Sequence, residues 1–242
     1  VGIALGATWN VELVREIGAA LADEVKSKGA HVSLSPTVNL HRSVTNGRNF
    51  ECYSEDPVLT ALLSGAFITG LQDNGIAATI KHFVGNESEI ERTTISSEVD
   101  ERTLRELYLV PFEHAVKVAG TWGIMSSYNR LNGTYTSEND WLLTKVLRDD
   151  WGYDGVVMSD WFGSHSTAPT VNAGLDLEMP GPPLRPRRVA VRSETCRGSI
   201  AAPFHPVARA QWPAVPHYES AALFRPARGV PRCLAGSSLP AS

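Results

Sequence analysis

Gly155-Val156-Val157-Met158-Ser159-Asp160-Trp161 is a short apolar run closed by a carboxylate and an indole, and the expected architecture follows from it. Its length and adjacent valines suit a buried strand better than a turn of helix. Comparable runs recur at residues 3–7, 31–38, 77–84, 123–128 and 173–177, each read as a strand, with helix-like segments between them. Residues 11–28 set Val14, Ile17, Leu21 and Val25 on one helical face, with Asn10 as N-cap and Gly29 as the stop. Asp56-Pro57 opens a second helix that Asn74-Gly75 closes. Asp100 caps a third, which Pro111 should kink or restart, and Asn139 or Ser137 caps a fourth that runs to Trp151-Gly152. Strands alternating with helices predict a parallel sheet, because parallel neighbours need crossover connections.

Each predicted strand ends in groups able to bind or react. Asn39, His41 and Arg42 follow the run at 31–38, Lys81 and His82 follow Thr79-Ile80, and Tyr128 and Asn129 follow Met125-Ser126. Asp160 closes the run at 155–159, and Leu175 leads to Asp176 and Glu178. In a (β/α)8 barrel the C-terminal strand ends converge on one rim, where the active site forms. A doubly wound open sheet gathers function at the same ends, so the pattern alone leaves both architectures open. No GxGxxG or GxxxxGK[ST] loop follows any run, which counts against a nucleotide-binding sheet. The expected fold is α/β, an incomplete (β/α)8 TIM-type barrel.

A chain of 242 residues, 43% hydrophobic and 20% charged, suits a soluble globular protein and excludes disordered, collagen-like and fibrous classes. No stretch approaches about 18 consecutive apolar residues, and residues 1–10 lack the basic start of a signal peptide, so no membrane association is expected. Cys52, Cys196 and Cys233 lie too far apart for a CxxC clamp or a disulfide framework. They leave the compartment open, with a cytoplasmic setting favoured. The seven histidines show no HExxH or HxH spacing, so neither a metal nor another cofactor is expected. Charge divides the chain: residues 1–183 hold 13 Lys and Arg against 24 Asp and Glu, whereas residues 184–242 hold 9 Arg, no Lys, no Asp and 2 Glu. Eight of the fifteen prolines are scattered through that second part, leaving no room for a long helix or a central strand. Residues 184–242 are therefore expected to be an irregular, disordered tail.

Asp160 is the sharpest chemical feature. A carboxylate at a strand end can attack a sugar C1 or hold a developing oxocarbenium charge, and the neighbouring Trp161 indole offers a stacking face for the ring. The bland alternative is that Asp160 caps a following helix. Lys81 and His82 supply donors straight after a strand, where a lysine must pair with an anion or a hydroxyl; a structural pair with Glu87, Glu89 or Glu91 would serve as well. Arg48 lies in a long loop and could bind substrate or make an ordinary salt bridge. Tyr128 could hydrogen-bond the reactive carboxylate or simply pack its ring. The acidic run at 87–91 reads as a solvated loop.

Four motifs in order resemble the barrel domain of glycoside hydrolase family 3 in its β-glucosidase branch: Gly47-Arg48-Asn49-Phe50-Glu51-Cys52-Tyr53-Ser54-Glu55-Asp56-Pro57, Lys81-His82-Phe83, Val99-Asp100-Glu101-Arg102 and Met158-Ser159-Asp160-Trp161. The resemblance covers residues 1–183. It implies a retaining hydrolysis of terminal β-D-glucosyl residues, with Asp160 as nucleophile and Arg48, Lys81 and His82 on the sugar hydroxyls. It also implies Tyr128 beside the nucleophile and Trp161 as an aromatic wall. The N-acetylglucosaminidases of the same family carry histidines in the loop after Lys-His, and here that loop reads Phe83-Val84-Gly85-Asn86-Glu87-Ser88, which favours the glucosidase branch.

The resemblance also sets expectations about what is missing. The family's preceding strand, with an Asp that grips outer hydroxyls, has no counterpart before Val1, and its acid/base Glu comes from a downstream domain. The composition of residues 184–242 is what a wrong reading frame of a GC-rich gene would produce. A truncated β-glucosidase fragment that hydrolyses β-glucosides negligibly is the expectation: Glu51, Glu87 and Glu178 are the carboxyl groups that could stand in as acid, but Glu87 lies in an acidic run and Glu51 and Glu178 match no acid/base position of the family. The partner is a small β-glucoside or oligosaccharide and not a nucleic acid, and the oligomeric state is open. The alternatives are a β-xylosidase or related exo-glycosidase on the same scaffold, a non-catalytic sugar-binding remnant, and a fragment that does not fold stably.

Overall fold

The computed structural model describes residues 1–180. The tail expected at 184–242 lies outside the described residues. The chain begins with helix α1 (Gly2–Gly6), then α2 (Val11–Ser27), strand β1 (Val32–Ser33), α3 (Pro57–Asp73), β2 (Ala77–Phe83) and the two-residue strand β3 (Ser96–Ser97). A helical turn α4 (Glu101–Thr103) runs through a π-helical stretch, Leu104–Tyr108, into α5 (Val110–Lys117). Strands β4 (Gly123–Ser126), β5 (Arg130–Leu131) and β6 (Thr134–Tyr135) follow, then a π helix at Trp141–Asp150, β7 (Val156–Met158) and α6 (Ala168–Ala173).

The caps read from sequence form locally. Asn10 Oδ1 accepts the Leu13 N–H, Asp56 Oδ1 accepts those of Val58 and Leu59, and Asp100 Oδ1 accepts that of Thr103. Each satisfies N–H groups that have no partner within the helix. Pro111 sits in the first turn of α5, so it restarts the third helix after the π-helical stretch. Of the two candidate caps for the fourth helix, Asn139 accepts the Leu142 N–H, while Ser137 donates to the Gly163 carbonyl.

β1, β2, β4 and β7 form a parallel sheet whose spatial order is their order in the chain. A doubly wound sheet reverses that order at a switch point; among the described residues there is none, and the fold is TIM-barrel-like. α3 is buried on most of its sides because it packs against both α2 and α5. Phe83 at the end of β2 meets Phe112 of α5 and Trp151, with ring centroids 5.0 and 6.0 Å apart. A second sheet, β3-β5-β6, holds the rim. Its hairpin turns at Asn132-Gly133, both at positive φ, as the right-handed strand twist favours.

Three strand readings need correction. Residues 3–7 were expected to be a strand and instead lie largely within the helix α1. Gly2 and Gly6 let its backbone rest directly on the carbonyls of Glu51 and Tyr53, where a Cβ would collide, and a five-residue apolar run carries no period that separates strand from helix. Residues 173–177 are also not a strand: α6 ends at Ala173, Gly174 turns left-handed, and only Leu177 bridges to Met158. The run at 31–38 is regular only at Val32–Ser33. Beyond Pro36, which has no N–H, it follows β2 through Lys81 N–H to the Pro36 carbonyl and Val38 N–H to the Lys81 carbonyl.

Asp176 proves structural. Arg148 Nη2 donates to its Oδ2 at 2.6 Å, and the Val157 N–H donates to the same oxygen at 2.8 Å. Arg148 also donates to the carbonyls of Tyr153 and Gly155. Arg148→Ala, which strands the buried Asp176 carboxylate, is expected to destabilise the protein by about 3–5 kcal/mol. Urea melts of the two proteins measure it, and a loss below ~1 kcal/mol, the scale of an exposed pair, would show that the pair is dispensable.

Candidate active site

Because the sheet is parallel, the C-terminal ends of its strands lie on one edge, and the candidate residues collect there. Asp160 follows β7 and is 8% exposed. Its Oδ1 accepts the Trp161 N–H at 2.7 Å. Its Oδ2 has no hydrogen-bond partner among the described residues and lies 3.5 Å from His82 Nε2. No helix starts at this position, so Asp160 is not a helix cap; the next helix is α6. Burial pushes its carboxyl above the ordinary value of 3.8, against the pull of the Trp161 N–H, the Tyr128 hydroxyl, Lys81 and Arg48. The contrast with Asp176 is chemical: one buried acid is consumed by an arginine, the other keeps an oxygen free.

Lys81 and His82 come from β2, at the irregularity where its register with β4 shifts between Ile80 and Phe83. Successive strand residues point to opposite faces, but at such a shift a side chain is re-aimed. Both residues act on Asp160, His82 by direct approach and Lys81 by its charge. His82 is almost fully buried, and burial, then Arg48, Lys81 and Arg92, keep it neutral by holding its pKa well below 6.5. Burial also lowers the Lys81 ammonium, while Glu51 and Asp160 are the carboxylates that raise it. Two of the three alternative partners of Lys81 are otherwise engaged, Glu87 with Asn39 and Glu89 with Arg92 at 2.9 Å.

Arg48 precedes a turn of 3-10 helix at Asn49–Glu51, which brings Glu51 into a two-bonded pair with it, Nε to Oε1 at 2.9 Å and Nη2 to Oε2 at 2.8 Å. The same Nη2 lies 3.5 Å from His82 Nε2. The pair holds Glu51 below the ordinary carboxylate value. Tyr128 follows β4; burial, then the Asp160 carboxylate, push its phenol up to about 12. Its ring lies under the Arg92 guanidinium, 4.8 Å from ring centroid to Cζ. Trp161 is half exposed beside Asp160, leaving indole surface open. All six residues singled out from sequence therefore collect on one edge of the sheet.

The acidic run at 87–91 is a solvated loop only in part, which corrects the sequence reading: Ile90 and Glu91 are exposed, but the run begins in the interior. Glu87 is 3% exposed, accepts from Asn39 Nδ2 at 3.4 Å, and is raised to about 7 by burial. The small sheet ties this loop down, with Ser97 Oγ donating to the Gly85 carbonyl and Asn129 Nδ2 to that of Val84. Arg92 and Glu89 thereby enter the site, and neither carries a signal that sequence reasoning could have separated from surface charge. Among the described residues no group of three or more His, Cys, Asp and Glu is arranged to hold a metal ion, and no helix is long and apolar enough to cross a membrane.

Residues 1–185 match the family model of the glycosyl hydrolase family 3 N terminal domain. The chain belongs to glycosyl hydrolase family 3. A β-glucosidase of Rhizobium radiobacter is 74% identical over 182 residues, which are 75% of this chain and 22% of that protein. β-Glucosidase B of Emericella nidulans is 54% identical over 178 residues, 74% of this chain and 21% of the relative. Among solved structures, β-glucosidase 3B from Thermotoga neapolitana in complex with α-D-glucose superposes with a TM-score of 0.74 at 50% identity, over 75% of this chain and 25% of that one. The family 3 chain thus spans under a quarter of the length of these curated relatives.

Proposed function

We propose that this family 3 chain supplies the sugar-binding rim and the nucleophile of a retaining β-glucosidase. Residues 1–183 would form part of its N-terminal (β/α)8 barrel domain, and 184–242 would lie outside that domain. The observation that carries the reading is the free Oδ2 of buried Asp160, beside His82 and under the charges of Arg48 and Lys81. Donors so grouped suit the hydroxyls of a sugar ring, with Trp161 as its stacking wall, and the oxygen without a partner suits attack on the anomeric carbon. Tyr128, protonated at neutral pH, would steady the carboxylate. The names of the relatives, and the glucose held by the Thermotoga neapolitana protein, support a glucoside over a xyloside.

The retaining route needs a second carboxyl about 5–5.5 Å away to protonate the leaving oxygen. Glu51 is held ionised by Arg48, Glu89 is paired with Arg92, and Glu87 is buried against Asn39. The proton donor is therefore assigned to residues other than these. Glucose binding by calorimetry on the 242-residue chain tests the reading: saturable heat is expected, and its absence would defeat the proposal. A charge-assisted hydrogen bond contributes roughly 1.5–3 kcal/mol, so Lys81→Ala should weaken glucose binding by about tenfold or more. Unchanged affinity would make Lys81 a structural residue.

A further inference from the structure

Asn39 joins three parts of this site. Its Oδ1 accepts the His82 backbone N–H at 3.0 Å and faces His82 Nδ1 at 3.1 Å. Its Nδ2 donates to the His82 carbonyl at 3.0 Å and to Glu87 Oε1 at 3.4 Å. The two backbone groups settle which way the amide points, since an N–H only donates and a carbonyl only accepts. His82 Nδ1 consequently faces an acceptor and must carry the ring proton, which leaves Nε2 bare in the neutral ring. That bare nitrogen can only accept: Arg48 Nη2 donates to it weakly from 3.5 Å, a place a sugar hydroxyl can take, and Asp160 Oδ2 lies 3.5 Å away.

We propose that Asn39 is a positioning residue that fixes His82 in its Nδ1–H tautomer, so that Nε2 meets a sugar hydroxyl as an acceptor and donates nothing to Asp160 Oδ2. The inference rests on the reading of Asp160 as nucleophile. In the opposite tautomer an N–H would point at Oδ2 and occupy the lone pair needed for attack. The His82 carbonyl braces the arrangement, because rotation of the Asn39 amide would set oxygen against oxygen there. The charges bearing on His82 are those of Arg48, Lys81, Arg92 and Asp160.

The test is a long-range proton–nitrogen correlation spectrum of the 242-residue chain, labelled at histidine and recorded near neutral pH, with His82 assigned by loss of its signals in His82→Gln. The expected pattern is a single ring proton on Nδ1 in the wild type, giving way in Asn39→Ala to averaged signals of exchanging tautomers. An Nε2–H or doubly protonated ring in the wild type overturns the proposal, and so does an Asn39→Ala ring that keeps a fixed Nδ1–H. If Asn39→Ala does not fold, Asn39→Asp supplies the second arm: its carboxylate should make His82 titrate at higher pH than in the wild type, and an unmoved titration overturns the proposal. Glucose binding separates the two readings. A fixed Nδ1–H ring in a chain that binds no glucose defeats the proposed function and upholds the role of Asn39 in setting the tautomer; glucose binding with an Nε2–H ring does the reverse.

Discussion

Asp160→Ala is expected to take up no covalent label from an activated aryl 2-fluoro-glucoside, whereas the unaltered chain is labelled on Asp160 alone. In the first half of the retaining route the carboxylate oxygen bonds to the anomeric carbon as the aryloxide departs, and so good a leaving group needs no proton. On the proposed reading the half-reaction depends on groups that the site does contain: the free Oδ2, the donors at Arg48 and Lys81, the ring of His82, and the indole of Trp161. Loss of the nucleophile should cut the labelling rate on the order of 10⁴-fold or more, the scale seen when a nucleophilic side chain is deleted from an assembled site. Peptide mapping by mass spectrometry reads the result. A label on any residue other than Asp160 would remove it from the mechanism.

The pH dependence of that labelling follows from the burial of the same carboxyl. On the proposed route Asp160 would attack only when ionised, and its pKa lies above the ordinary 3.8 because burial opposes the charge. The rate should therefore rise as pH climbs through that raised value and then level off. Tyr128 does not limit it, since its phenol keeps its proton up to about 12.

Cellobiose, by contrast, is expected to be turned over by the 242-residue chain at less than ~1 s⁻¹, the low end of ordinary enzyme rates. Its leaving group is a sugar alkoxide, and general acid assistance to such a group is worth about 10²–10⁴-fold. Glu51 cannot supply the proton because its two bonds to Arg48 stabilise the ionised form. Glu87 does hold a proton for much of the time near neutral pH, being raised to about 7, yet it is 3% exposed, and Asn39 stands between it and His82. An aryl glucoside with a good leaving group should outpace cellobiose by about 10²-fold or more under the same conditions. Cellobiose turnover above ~1 s⁻¹ would instead require a proton donor within this chain.

What is local could be read from the order of residues alone. Asn10, Asp56 and Asp100 were legible as caps because their partners lie two or three residues away, so that no distant residue has to be known to place those hydrogen bonds. The alternation of apolar runs with amphipathic segments determined a parallel sheet, and the residue types at the strand ends marked Arg48, Lys81, His82, Tyr128, Asp160 and Trp161 as candidates. Tertiary structure decided what depends on partners distant in sequence. It put residues 3–6 in a helix, because glycines allow backbone to rest on the backbone of residues 51 and 53. It buried Glu87 within an acidic run that charge alone would leave in water, since Asn39 offers a donor there. It separated two strand-end aspartates that look alike in sequence, joining Asp176 to Arg148 and leaving an oxygen of Asp160 free. The physical reason is the same in each case: an unpaired buried charge or backbone group is costly, and whether a partner arrives from 28 or 48 residues away is settled by packing, not by spacing.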